Sequence, residues 1–261
     1  MNSGAPFSLA ADWAFPVLFV TGLTAGFVDS IAGGGGLITL PVLLNLGIPP
    51  KFAFGTNKLQ ATFGSGSATW HFAQSKIVVL RECGPGVLFT VIGAAAGTLL
   101  VQHLDPAFLK KFIPVLLLAI AAFMIFKPQL GQKDIHPRMT PGRFYIVAGL
   151  LLGFYDGFIG PGTGTFWAMA FMLGLGFNLT KATGHTKVMN FASNLTSLAF
   201  FLMAGQVYYS AGLVMGAGQL LGARVGSRVV VHRGAKFIRP VFLTMVFALT
   251  LKLLYDALRN S

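Results

Sequence analysis

Apolar residues run in long blocks along this chain, and polar residues gather in the short gaps between them. The blocks cover about residues 14–32, 36–48, 53–75, 84–104, 108–126, 143–160, 163–177, 182–203, 208–231 and 237–257. Most read as membrane helices, which need about 20 predominantly apolar residues. The second block of each half is shorter. Residues 36–48 as a helix reach only about 20 Å, against a hydrocarbon core of about 30 Å. These two blocks therefore read as re-entrant or partly unwound, with Pro49 and Pro50 turning the chain back after the first. Counted as spans or as re-entrant hairpins, they move the span total between about ten and about six.

The first block ends unusually. Gly26-Phe27-Val28-Asp29-Ser30-Ile31-Ala32 is followed by four glycines, Gly33 to Gly36. Glycine costs a helix about 1 kcal/mol per residue relative to alanine, so four in a row should stop it. A stopped helix in lipid leaves backbone groups without partners, which is tolerated only where protein or a water-filled cavity supplies them. The device returns as Gly153-Phe154-Tyr155-Asp156-Gly157-Phe158-Ile159-Gly160-Pro161-Gly162. Paired broken helices in corresponding halves of a polytopic chain point to a transport site.

Other landmarks also recur. Asp29 and Asp156 are 127 positions apart. Lys58 and Lys187 are 129 apart, as are Gly93 and Gly222, and Gly97 and Gly226. A polar, proline-bearing stretch from Lys127 to Arg143 interrupts the chain near its centre and reads as the linker. The expected organisation is a first membrane repeat over 1–126, a basic cytoplasmic linker over 127–142 and a second repeat over 143–261. With about five apolar segments in each half, an odd number, the repeats would be inverted about an axis in the membrane plane. The expected fold is an all-α polytopic membrane protein of two inverted repeats with broken or re-entrant Gly-rich segments.

Composition sharpens the class. Hydrophobic residues make up 54% of the chain and charged residues 10%, against about 25% charged in soluble domains. The formal net charge of +12 does not indicate nucleic acid, because the basic residues form no single stripe. They lie between the apolar blocks, where the positive-inside bias places them. The basic segment from His232 to Arg239 is then cytoplasmic, the central linker lies on the same side, and both termini lie outside. A lone cysteine, Cys83, excludes a disulfide framework and a Cys-based metal site. Met1 to Asp12 lack Lys and Arg and read as a short tail rather than a signal peptide.

Two later helices carry the candidate chemistry. Lys58, Thr62, Ser65 and Thr69 fall on one helical face, as do Lys187, Asn190, Asn194 and Ser197. A polar stripe headed by a cation has no reason to face lipid and should line the middle of the bundle. A lysine at membrane depth costs roughly 2.5 kcal/mol or more unless paired or hydrated. Glycine-rich breaks expose helix N-termini whose N–H groups favour an anion. Gly33, Gly34, Gly35, Gly36, Gly162 and Gly164 let that backbone approach a ligand closely. The expected site holds a small anion by Lys58 and Lys187, hydrogen-bonded by Asn57, Ser65, Asn190 and Asn194. Asp29 and Asp156 either neutralise the lysines when the site is empty or carry a coupled proton. The plainer readings are snorkelling lysines, glycines for helix packing and structural ion pairs.

These residues resemble a known family. Gly26 to Gly36 with Thr56-Asn57-Lys58, echoed by Gly153-Phe154-Tyr155-Asp156-Gly157 and His185-Thr186-Lys187, is similar to the sulfite exporter TauE/SafE (toluene-sulfonate uptake permease) family. The likeness extends to Gly222-Ala223-Arg224-Val225-Gly226-Ser227-Arg228 and to Arg239-Pro240, and looks closest to its YfcA-like bacterial branch. The second half departs from the first in Gly160-Pro161-Gly162-Thr163-Gly164 and in His-Thr-Lys for Thr-Asn-Lys. The resemblance implies a multi-pass permease of the bacterial inner membrane for a small anion, typically sulfite or an organosulfonate.

The chain is read as a transporter and not an enzyme, without cofactor or metal, whose partners are its anion and membrane lipid. No HExxH, GxSxG or cysteine pair suggests a catalytic centre, and no GxxxxGK[ST] loop suggests ATP. The alternatives are an anion channel or a carrier of non-sulfur organic anions. The direction of transport, the coupling ion and any homo-oligomer are left open.

Overall fold

A computed structural model of the chain describes residues 13–105, 107–109, 134 and 136–234. Its secondary structure is helical throughout these residues. The helices are α1 (Ala14–Ala32), α2 (Gly35–Asn45), α3 (Pro50–Gln74), α4 (Gly84–His103), α5 (Pro141–Phe158), α6 (Thr163–Gly174), α7 (Leu179–Met203) and α8 (Tyr209–Arg233). A short 3₁₀ turn, Leu80–Cys83, precedes α4. Nearly all of the block expected over 108–126, the block over 237–257, and half of the linker over 127–142 lie outside the described residues.

Local chemistry sets the boundaries. Pro50 and Pro141 each take the first position of a helix, where a missing N–H costs nothing and the fixed φ suits the helix. Asn178 caps α7 by accepting the Lys181 N–H at 3.0 Å. At the glycine run the break is shorter than four residues. Gly33 and Gly34 adopt φ of 74° and 105°, which side chains with a Cβ rarely reach. Gly35 and Gly36 instead open α2. The second break is built similarly, with Gly160 and Gly162 at φ of 92° and 82°, after which α6 starts at Thr163. The helices after the breaks are short: α2 has 11 residues and α6 has 12, or about 17 and 18 Å of helix.

Packing pairs helices from before and after residue 127 crosswise. α1 lies against α8, and α5 lies against α4. Glycines four residues apart make both contacts close. A Cβ on Gly22 or Gly26 would collide with the backbone of Met215 or Gln219. In return, Gly218 and Gly222 sit on the backbone of Phe19 and Leu23. In the other pair, Gly153 faces the Thr90 backbone, and Gly93 and Gly97 face that of Phe154. Small residues at this spacing drive helix association where lipid removes the hydrophobic difference. Between the two pairs, α3 and α7 cross each other in the centre and also contact α8 and α4 respectively.

Beside an apolar core the bundle buries charged and polar groups and exposes large apolar side chains. Lys58, Lys187, Asp156, Asn57, Asn190 and Asn194 are buried, while Leu88, Ile92, Leu151, Leu195, Leu213 and Val225 are exposed. Water would penalise such an exterior, whereas hydrocarbon matches it. Among the described residues, two segments, Ala14–Ile31 and Leu80–His103, are apolar and long enough to cross a membrane by composition alone. α3, α7 and α8 carry polar residues on their buried faces, so their average composition hides an apolar outer face.

Candidate functional site

Lys58 and Lys187 are each the ninth residue of a 25-residue helix, α3 and α7. Contact between these helices in the centre brings both ammonium groups inside, buried from the outer surface. Each finds a carboxylate from the opposite half of the chain. Lys58 Nζ lies 2.7 Å from Asp156 Oδ1, and Lys187 Nζ lies 2.9 Å from Asp29 Oδ2. Buried charges persist only when paired and hydrogen-bonded. Both carboxylates come from the last turns of the helices that the glycines terminate, so each break sits beside one ion pair.

The two pairs are built differently. Lys58 also donates to the Asp156 carbonyl at 2.6 Å and to Asn194 Oδ1 at 3.2 Å. The second oxygen of Asp156 accepts the Ser193 hydroxyl. Both side chains of this pair are almost fully enclosed. Asp29 is more open, its side chain 20% exposed against 5% for Asp156. Its Oδ1 accepts the backbone N–H groups of Gly34 and Gly35, each at 3.1 Å. The N–H groups at the first glycine break are therefore engaged by Asp29 itself.

A cavity of about 30 Å³ lies between the breaks, above the roughly 10–15 Å³ that one water molecule needs. Ten of the residues singled out from the sequence line it: Asp29, Gly34, Gly36, Asn57, Lys58, Asp156, Gly162, Gly164, Asn190 and Asn194. The other four stand directly behind. Gly33 packs on the backbone of Gly164 and Thr165, and Gly35 is bound to Asp29. Ser65 accepts from Asn194 Nδ2 at 3.4 Å, and Lys187 reaches the cavity through Asp29. Asn57 is braced from outside, its Oδ1 accepting Thr39 Oγ1 at 2.6 Å and Gln60 Nε2 at 2.8 Å.

The lining also includes Gly160 and Thr163, which the sequence places in the second break, and Ala61 and Gln219, which sequence reasoning passed over. Gln219 was legible as the one amide in the apolar stretch of α8, between Gly218 and Gly222. Its Oε1 and Asn190 Oδ1 are buried and have no hydrogen-bond partner among the described residues. His185, 129 positions after Thr56, points elsewhere. Its ring packs against Phe171 and Phe177, and its Nδ1 lies 2.9 Å from the Lys181 carbonyl.

An apolar exterior around a small polar chamber, flanked by two helix breaks and two paired cations, defines a helical membrane transporter. The chain belongs to the sulfite exporter TauE/SafE family, whose model matches residues 18–253. Relatives named as probable membrane transporter proteins agree with this along nearly their whole length. One from Haemophilus influenzae is 48% identical, the match covering 92% of this chain and 94% of the relative. Another, YfcA from Escherichia coli K12, is 45% identical, covering 92% of this chain and 90% of the relative. A third, from Sinorhizobium, is 48% identical over 92% of both.

Proposed function

We propose that the chain is a multi-pass secondary transporter of the bacterial cell membrane that carries a small sulfur anion, sulfite or an organosulfonate. The observation that carries this reading is the cavity between the glycine breaks, enclosed by two crossed Lys–Asp pairs. Four charged groups sum to zero there, so an entering anion is electrically accommodated only if a carboxylate is displaced or protonated. Lys58 and Lys187 then supply the attraction. Asn57, Asn190, Asn194 and Ser65 supply hydrogen bonds, and the starts of α2 and α6 supply backbone N–H groups. The sulfur atom rests on the family's name alone, while preference for an anion rests on the buried lysines.

In this reading residues 1–126 and 143–261 are inverted repeats joined by a cytoplasmic linker over 127–142. The crosswise packing of α1 on α8 and α5 on α4 supports that relationship, as does the exchange of ion-pair partners between halves. Alternating access then amounts to rocking one repeat against the other about the shared cavity.

Thermal unfolding of the detergent-purified protein with sulfite, sulfate, thiosulfate, sulfoacetate, taurine and acetate tests the reading. A ligand bound only to the folded state stabilises it by RT ln(1 + [L]/Kd), about 2.7 kcal/mol at a hundredfold excess. The expected result is a selective shift for one sulfur oxyanion that Lys187→Ala abolishes. Equal stability with every anion, together with unimpaired sulfite flux in proteoliposomes of a Lys58→Ala/Lys187→Ala double variant, would overturn it. Flux driven by a pH gradient separates a coupled transporter from a channel.

A further inference from the structure

We infer that the Asp29 carboxylate occupies the seat of the transported anion, as a tethered competitor that the substrate displaces. The inference rests on the transport reading above and concerns which of the two ion pairs opens. The donor set around Asp29 is that of an oxyanion site. One ammonium, from Lys187, binds Oδ2 at 2.9 Å. Two successive backbone N–H groups at the start of α2, those of Gly34 and Gly35, bind Oδ1 at 3.1 Å each. A sulfite or sulfonate group offers the same acceptor oxygens to the same donors.

Asp156 has no such set. It is held by the Lys58 ammonium and the Ser193 hydroxyl, and among the described residues no backbone N–H group donates to its carboxylate. It is also four times less exposed, so displacing it would strip a charge that nothing else covers. Both carboxylates border the cavity, but Asp29 is the more open of the two and has somewhere to go.

Independent features mark the seat as a place for a ligand. Asn190, only 6% exposed, lines the cavity with its Oδ1 unpartnered. A Cβ on Gly164, at the start of α6, would lie 3.0 Å from Asn190 Nδ2 and 3.5 Å from Lys187 Nζ. The Gly33 Cα lies closer still, at 2.9 Å, so Gly164 lets the first glycine break, an amide and the ammonium paired with Asp29 converge. Gln219, 2% exposed and also unpartnered at Oε1, closes the chamber from α8.

A competitor that fills its own site lowers the apparent affinity by the fraction of molecules in which the site is empty. Asp29→Asn keeps the shape and removes the charge. Calorimetric titration of the full-length purified protein with sulfite, sulfoacetate and acetate compares wild type, Asp29→Asn and Asp156→Asn. The expected result is an affinity gain of about tenfold or more for one sulfur anion in Asp29→Asn, and no gain in Asp156→Asn. An equal or weaker affinity in Asp29→Asn, or an equal gain in Asp156→Asn, overturns the competitor while leaving anion transport standing. Binding of none of the three anions to any of the proteins overturns the transport reading, and the competitor with it. If Asp29→Asn does not fold, infrared difference spectra of wild type carrying ¹³C-aspartate decide. Sulfite binding shifts a carboxylate band if the competitor is displaced, and unchanged bands upon calorimetrically proven binding overturn it.

Discussion

Lys58 grips Asp156 twice, donating to the carboxylate at 2.7 Å and to the carbonyl of the same residue at 2.6 Å. One side chain thereby ties α3 to the end of α5, 98 positions away. It also occupies a carbonyl near the end of α5, where the last turn of a helix leaves such groups without partners. Removing either member leaves the other charge buried alone. Lys58→Met should therefore cost about 3–5 kcal/mol of stability, whereas Lys58→Met/Asp156→Leu should recover most of it. Transport should be lost in both. Thermal unfolding of the two variants beside a proteoliposome flux assay checks this, and a double variant that still transports would show the pair to be structural only.

Gly97 sits where α4 meets α5, with no room for a Cβ beside the Phe154 carbonyl and 2.7 Å to Phe158 N. Gly97→Ala must push two backbones apart, and overpacking of this kind costs about 1–3 kcal/mol or more. Gly84, at the exposed start of the same helix, has nothing within 4 Å and a helical φ of −48°. Gly84→Ala should be neutral or stabilising by about 0.4–1 kcal/mol. Melting temperatures of the two variants should move in opposite directions or differ by several degrees.

Gly160 combines a φ of 92° with a crowded site. A Cβ there would lie 2.9 Å from Asp156 Oδ1 and 3.0 Å from Lys58 Nζ. Gly160→Ala should lose transport and stability together. Gly205 has a φ of 65° and open space around it, so Gly205→Ala carries only the backbone cost, about 1–2 kcal/mol. Unfolding and flux measured on both separate backbone strain from disturbance of the ion pair.

Gln219→Leu removes a buried acceptor that has no partner among the described residues, so stability should hold or rise. If the amide serves the ligand, anion affinity should fall at the same time. A variant that is at least as stable as wild type and binds sulfite with unchanged affinity would exclude Gln219 from the site.

Much of this protein is legible in its sequence. Apolar blocks separated by basic gaps define a helical membrane protein, because a segment in lipid must satisfy its backbone internally. Asp29, Lys58, Asp156 and Lys187 stand out for the same reason: charges are too costly in apolar surroundings to be there by default. The helix bounds of α1 also follow directly, since Gly33 and Gly34 adopt backbone angles that other residues avoid. Sequence alone did not determine that only two of the four glycines form the break, because Gly35 and Gly36 tolerate helix and turn alike.

Tertiary structure alone decided the pairing. Lys58 is nearer in sequence to Asp29, yet it joins Asp156, and Lys187 joins Asp29 across 158 positions. The crossing of α3 and α7 sets those partners, and packing of glycines on backbone holds the flanking helices in place. The inequality of the two pairs is likewise a property of the fold. Both line the cavity, but Asp29 meets backbone N–H groups and Asp156 meets a serine hydroxyl and tighter packing, and neither surrounding is written in the residues next to it. Spacing along a chain identifies which groups are costly to bury, but only three-dimensional contact determines what compensates each of them.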